Sequence, residues 1–185
     1  MSIYTKITSQ LPVQSHFTDM NLASNRRHVF ISHHHADDAE VDKLTSLLSR
    51  SGHDIRNSSI RAYRKVNQER WKGKRVSDET IQRLLRRKIS WAGTVVVLIG
   101  KETHSRPWVN WEIEQASKQG KRIVGVYIRG GTEADKPDAL EKYASAIVGW
   151  NSGCIIAAID GTENPFQNPN GSPRQATHTR TSGTC

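Results

Sequence analysis

Cysteine is almost missing from the chain: only Cys154 and Cys185 occur in 185 residues. The first lies in an apolar run and the second is the last residue, which argues against a disulfide framework and for reduced thiols. Long hydrophobic runs are missing as well. No stretch approaches the roughly 18 apolar residues of a membrane helix, and the N-terminus lacks the short apolar block of a secretory signal. A soluble, cytoplasmic protein without a membrane partner is expected. The chain has no Gly-x-Gly-x-x-Gly after its first strand and no Gly-x-x-x-x-Gly-Lys-Ser/Thr, so a dinucleotide-binding dehydrogenase and a phosphate-loop nucleotidase are both disfavoured. A Gly-x-Ser-x-Gly elbow is absent, which leaves a serine hydrolase unsupported. There is no cysteine pair for zinc, and the consecutive histidines His33, His34 and His35 lack the i, i+4 spacing of helical ligands. No metal site and no resident cofactor are expected; the histidines read as polar loop or substrate contacts.

Charge is present in excess, with a net value of +9. The basic residues crowd into positions 50–88, a patch that can attract nucleic acid, an anionic metabolite or a second copy of the chain, or can simply be a solvated surface. Only Tyr63 and Trp71 interleave with it, too few stacking groups to favour nucleic acid. The length suits one α/β domain.

The stretch from Thr94 to Ile128 organises that domain. Thr94 to Ile99 is continuously apolar and β-branched, as in a parallel strand covered on both faces. Pro107 fits the first turn of a helix and Gly120 the left-handed position just beyond its end. Val109, Ile113 and Ala116 form its buried stripe, with Trp108 and Glu112 one turn apart on the flank. A strand over 121–128 follows. Upstream, residues 1–25 read as a polar arm and 28–32 as the first strand. Asp37 and Glu40 suggest a capping box opening a helix with Val41, Leu44, Leu47 and Leu48 inside. A polar edge strand spans 53–57, and 60–76 is a basic loop or short helix. Ser77 caps a helix with Ile81, Leu84, Leu85 and Ile89 on its apolar side. Residues 132–144 read as a loop and short helix and 154–159 as a last strand, giving a domain over 26–160. Residues 161–185 are expected to be a low-complexity tail with little structure of its own.

Alternating strands and helices imply a flavodoxin-like α/β fold with about five parallel strands in the order 2-1-3-4-5. In that order the crevice lies beyond the carboxyl ends of strands 1 and 3, so the loop after Ser32 and the helix bearing Glu112 can share one pocket. The quoted residues resemble the TIR-like domains of the bacterial MTH538-type group, which includes the signalling subunit of Thoeris antiphage systems. The resemblance covers about residues 26–128 and rests on Val29-Phe-Ile-Ser-His-His-His-Ala-Asp37, Asn57-Ser-Ser59, Val95-Val-Val-Leu-Ile-Gly100 and Trp108-Val-Asn-Trp-Glu-Ile113. It implies that Glu112 is a catalytic glutamate and that Ser32 and His34 line a nucleotide pocket with Asn57 and Ser58 at its ribose side. Asn57 stands where some relatives have an aspartate. Trp108 is either core packing or a base-stacking surface.

The resemblance further implies cleavage of NAD+, as substrate, between nicotinamide and ribose, with an ADP-ribose-derived and cyclic signal that reaches an effector protein. It also leaves room for self-association. A non-catalytic TIR-type interaction module assembling through the basic loop is the alternative.

Overall fold

The structure, a computed structural model, describes residues 26–58 and 77–175. The expected arm over 1–25, the basic loop over 60–76 with Tyr63 and Trp71, Ser59, the His35 side chain and the chain beyond 175 with Cys185 lie outside the described residues. Strands β1 (Arg27–Ser32), β2 (Ile55–Asn57), β3 (Thr94–Ile99), β4 (Arg122–Tyr127) and β5 (Ala146–Val148) alternate with helices α1 (Asp38–Arg50), α2 (Asp78–Trp91), α3 (Pro107–Lys118), α4 (Asp138–Tyr143) and α5 (Ser152–Asp160). All neighbouring strands are parallel, in the order β2-β1-β3-β4-β5. The fold is flavodoxin-like, as the alternation implied.

Side-chain alternation divides the strands between two cores. Val29, Ile31, Val96, Leu98, Val124 and Val126 face α1 and α5, while Phe30, Val95, Val97, Ile99, Ile123 and Tyr127 face α2, α3 and α4. β3 is buried at every position, which explains its unbroken apolar sequence. β2 is partly exposed throughout and forms one edge, in keeping with its polar sequence. Among the described residues no helix is long and apolar enough to cross a membrane.

The punctuation of α3 is as the sequence implied. Pro107 occupies its first turn. Gly120 is left-handed at φ 65, and Gly120 N–H donates to Ser117 O at 3.0 Å while Lys121 N–H donates to Ala116 O at 2.9 Å, the paired bonds of a Schellman ending. Ser77 likewise caps α2, its hydroxyl accepting from Thr80 N–H.

Three expectations are corrected. Residues 154–159 are helical within α5, and the last strand is β5. A six-residue apolar run carries too little periodicity to separate strand from buried helix. The deciding signals flank the run: the Asn151 side chain accepts from Cys154 N–H at the start of the helix, and Gly161 closes it at φ 77. The Asp37–Glu40 capping box does not form, because the chain enters α1 through a 3₁₀ turn (His35–Asp37) that leaves Asp37 at φ −97, ψ 13 without a side-chain cap, away from the extended geometry a cap needs. Finally, residues 161–175 make defined contacts. Ile147 N–H donates to Pro165 O at 3.0 Å and Gln167 N–H to Ile147 O at 2.8 Å, so this segment lies along the free edge of β5. Arg174 then pairs with Glu133 and Glu141 and lies over the Phe166 ring. Low complexity describes composition; backbone bonds at an open edge are indifferent to it.

The turn after β4 presses on the end of β3. A Cβ on Gly131 would stand 2.4 Å from Ile99 O, and Ile128 N–H donates to that same oxygen at 3.1 Å. Gly131→Ala must therefore push backbone from backbone and should lower stability by about 1–3 kcal/mol, read as a fall in the urea midpoint; an unchanged midpoint would show that the turn can retreat.

Candidate active site

The crossovers after β1 and β3 leave on opposite faces: α1 covers one core and α3 the other. For this strand order, the place where a ligand crevice is expected is between the loop over 33–37 and the loop over 101–106. These loops meet at Gly100, where a Cβ would come within 2.9 Å of Asp37 Oδ2 and 2.6 Å of Ile128 Cδ1. The β3 loop is held closed by Thr103, which is fully buried. Its hydroxyl accepts from Gly100 N–H at 2.9 Å and donates to Gly100 O at 2.8 Å.

Ser32 ends β1 and alternates onto the same face as Phe30, toward α3. There its hydroxyl donates to Glu112 Oε2 at 2.5 Å. Glu112 is half-buried on the flank of the Val109, Ile113 and Ala116 stripe. A carboxylate withdrawn from water needs donors, and the Ser32 hydroxyl supplies one to Oε2. Two residues beyond Ser32, His34 is buried. His33 is tied down, one ring nitrogen against Ile31 O at 3.0 Å and the other against Asp38 Oδ1 at 2.8 Å. The ring is thus held at both nitrogens, and its plane is fixed.

The remaining expected site residues are placed less directly. Trp108 packs partly on the core and meets Trp111 edge-to-face, with ring centres 5.7 Å apart. Arg86 of α2 lies over the Trp111 ring, so part of the basic patch serves helix packing. Asn57 pairs in register with Val29, three positions short of Ser32 along β1. Ser58 is buried, and its hydroxyl donates toward Val29 O at 3.2 Å and Lys88 O at 3.4 Å; it is committed to backbone carbonyls. The structure thus brings Ser32 and Glu112 into contact with His34 close by in the chain, and leaves Asn57 and Ser58 on the neighbouring strand end. Among the described residues no cluster of His, Cys, Asp and Glu forms a metal site.

Sequence reasoning missed the support behind the β3 loop. Asp135, in the 3₁₀ turn Glu133–Asp135, accepts from Glu102 N–H at 3.1 Å. Its other oxygen accepts from Thr132 N–H at 2.8 Å and the Thr132 hydroxyl at 2.7 Å. Burial alone would raise the Asp135 pKa, but the Thr132 and Glu102 donors together hold it below its ordinary value. Thr132 and Asp135 at three-residue spacing were the available signal. Beside them, Glu133 accepts from the Tyr127 hydroxyl and pairs with Lys136 and Arg174. Lys136 is buried and also pairs with Glu141. Burial raises the Tyr127 pKa, and the Glu133 carboxylate adds to that rise.

With this geometry in view, comparison with known proteins gives the family. The model described as "Thoeris protein ThsB, TIR-like domain" matches residues 30–133, more than half of the chain. The chain belongs to the ThsB TIR-like family. A curated relative in Bacillus cereus (strain MSX-D12), named "Putative cyclic ADP-D-ribose synthase ThsB1", is 34% identical over 55 residues, covering 30% of this chain and 29% of that protein. The match thus spans less than a third of the relative's length. Among solved structures, a 2-deoxyribosyltransferase from Bacillus psychrosaccharolyticus superposes with TM-score 0.50 at 12% identity, over 80% of this chain and 99% of that one. A conserved protein from Enterococcus faecalis V583 gives TM-score 0.50 and 12% identity, over 75% and 99%. At such identity these structures speak for the fold alone.

The charged turn makes a pH prediction. Burial would raise the Glu133 pKa, but its bonds to Lys136 and Tyr127 and the nearby Arg174 charge bring it below its ordinary 4.5. A carboxylate depressed in the folded state stabilises fully above its unfolded pKa and loses that contribution as pH falls through the folded value. The stability gap between wild type and Glu133→Gln in urea unfolding should be widest near neutrality and should narrow below about pH 4. A gap that widens in acid would contradict this sign.

Proposed function

We propose that the protein cleaves NAD+ at the bond between nicotinamide and ribose and converts the remainder into a cyclic ADP-ribose-type signal in bacterial antiphage defence. The observation that carries the reading is the Ser32–Glu112 bond at the mouth of the β1/β3 crevice. Membership of the ThsB family and the name of the Bacillus cereus relative supply the direction.

The chemistry suits one carboxylate. Nicotinamide leaves a cationic pyridinium with the electron pair of the broken C–N bond and departs neutral, so no general acid is needed, unlike the paired carboxylates of most glycosidases. Positive charge collects on the ribose C1′ and ring oxygen. Glu112 stabilises that charge electrostatically and accepts from a ribose hydroxyl. Ser32 holds the carboxylate in one orientation, and His34 lines the pocket. Trp108 borders it, and Asn57 and Ser58 stand on the β2 side, Ser58 holding backbone carbonyls there. C1′ then bonds to an atom of the same molecule's adenosine, which closes the ring, or to water, which loses a proton and opens the hydrolytic route. The product diffuses to an effector protein.

The test is mass spectrometry of nucleotides from phage-infected cells expressing wild type, Glu112→Gln or Ser32→Ala. Wild type should yield nicotinamide and an ADP-ribose-derived product, and Glu112→Gln none at equal protein level. Ser32→Ala loses a hydrogen bond to a charged group, a change of about 1.5–3 kcal/mol, so product should fall about ten- to a hundredfold. Product formation indifferent to Glu112→Gln would overturn the catalytic role of Glu112, and absence of product from wild type together with self-association indifferent to Glu112→Gln would move the protein to the non-catalytic, self-assembling reading.

A further inference from the structure

We propose that Asp135 is a positioning residue for the crevice: its carboxylate, on the turn after β4, holds Glu102 in the left-handed conformation that shapes the wall over 101–106. What the crevice holds is taken from the NAD+ reading above; the device itself stands on geometry. Among the described residues Glu102 is the one non-glycine residue with positive φ, at φ 64 and ψ 12. The left-handed conformation crowds Cβ against the following carbonyl, and glutamate lacks the short polar side chain that lets Asn and Asp tolerate it. Strain of this kind persists only where the surroundings impose it.

Thr103 N–H donates to Gly100 O at 3.1 Å and closes the tight turn around Glu102; besides the bonds of its own turn, two contacts act on Glu102. Its carboxylate pairs with Arg106 at 2.6 Å, but both side chains are substantially exposed, and such pairs hold little. Its N–H donates to Asp135 Oδ1 at 3.1 Å, which fixes the peptide itself. The consequence runs forward along the chain. Glu102 O accepts from Ser105 N–H at 3.2 Å and the Ser105 hydroxyl at 2.9 Å, so the backbone at 102 sets the 3₁₀ turn Thr103–Ser105 that delivers Pro107 to the start of α3.

Asp135 suits the task because its two oxygens face separate segments: one takes Glu102 N–H, the other both Thr132 donors. An asparagine has a single acceptor oxygen and cannot serve both. Ser32 fixes the Glu112 carboxylate independently. Release of the loop therefore changes how tightly a dinucleotide is held, while the carboxylate keeps its place.

The experiment measures NAD+ binding by calorimetry in a Glu112→Gln background, where turnover does not intrude. Asp135→Asn should raise the Kd about five- to thirtyfold, the range by which a left-handed non-glycine residue is disfavoured when nothing holds it. Adding Glu102→Gly to Asp135→Asn should bring the Kd back to within about threefold of the background, because glycine adopts positive φ without the Cβ penalty. Glu102→Gly alone should also stay within about threefold, the size of an exposed ion pair. An unchanged Kd in Asp135→Asn, or a loss that Glu102→Gly does not restore, overturns the proposal, the latter by assigning the effect to the fold of the turn. Should the background protein bind no NAD+, the nucleotide reading fails by itself. Amide hydrogen exchange then decides the latch: Glu102 N–H should exchange at least about tenfold faster in Asp135→Asn, and equal rates overturn it.

Discussion

A carboxylate half withdrawn from water at the end of a parallel sheet needs a donor, and Ser32 is that donor for Glu112. The contact depends on several independent features of the chain. β1 must end with its last side chain on the α3 face, which the alternation of Val29, Phe30, Ile31 and Ser32 decides. α3 must begin at Pro107, so that Glu112 comes just over one turn into the helix beside a buried stripe. The crossovers must part at β1 and β3, so that a cleft exists there at all. Moving β1 by one residue would turn Ser32 into the opposite core.

Behind this contact stands a second layer built from charge. Tyr127, Glu133, Lys136, Glu141 and Arg174 form one connected set that joins the end of β4, α4 and the segment after α5. Buried charges are costly unless every member is paired. Here Lys136 has two carboxylates, and Arg174 has the same two. The set fixes the 132–136 turn, whose Asp135 and the adjoining Gly131 abut the β3 loop. Residues far apart in the chain thereby back one wall of the cleft.

Much of the frame was legible in the sequence, and the reasons are physical. The continuous β-branched run of β3, the Pro107 and Gly120 brackets of α3 and the Ser77 cap of α2 are local codes, and each is read by local geometry. Topology put the loop after Ser32 and the helix bearing Glu112 at one sheet end, the family resemblance singled out Ser32, and their hydrogen bond is seen only in the structure. β5 escaped because it has three residues, too few for a period, and α5 because its short apolar run fits either element. The role of Arg174 could not be read from a stretch rich in Pro, Asn and Gly, since its partners lie 33 and 41 positions away. Asp135 escaped for the same reason: among many charges, nothing in the sequence says which one meets Glu102.

The edge of β5 has one more consequence. Ile147 offers its N–H and C=O sideways to Pro165 and Gln167, so a polypeptide cut back to Asp160 would bare a ribbon of unsatisfied amides beside an apolar strand. Such a ribbon invites pairing with strangers. Whoever trims this protein for expression should expect sticky, self-templating material unless the cut falls after Arg174.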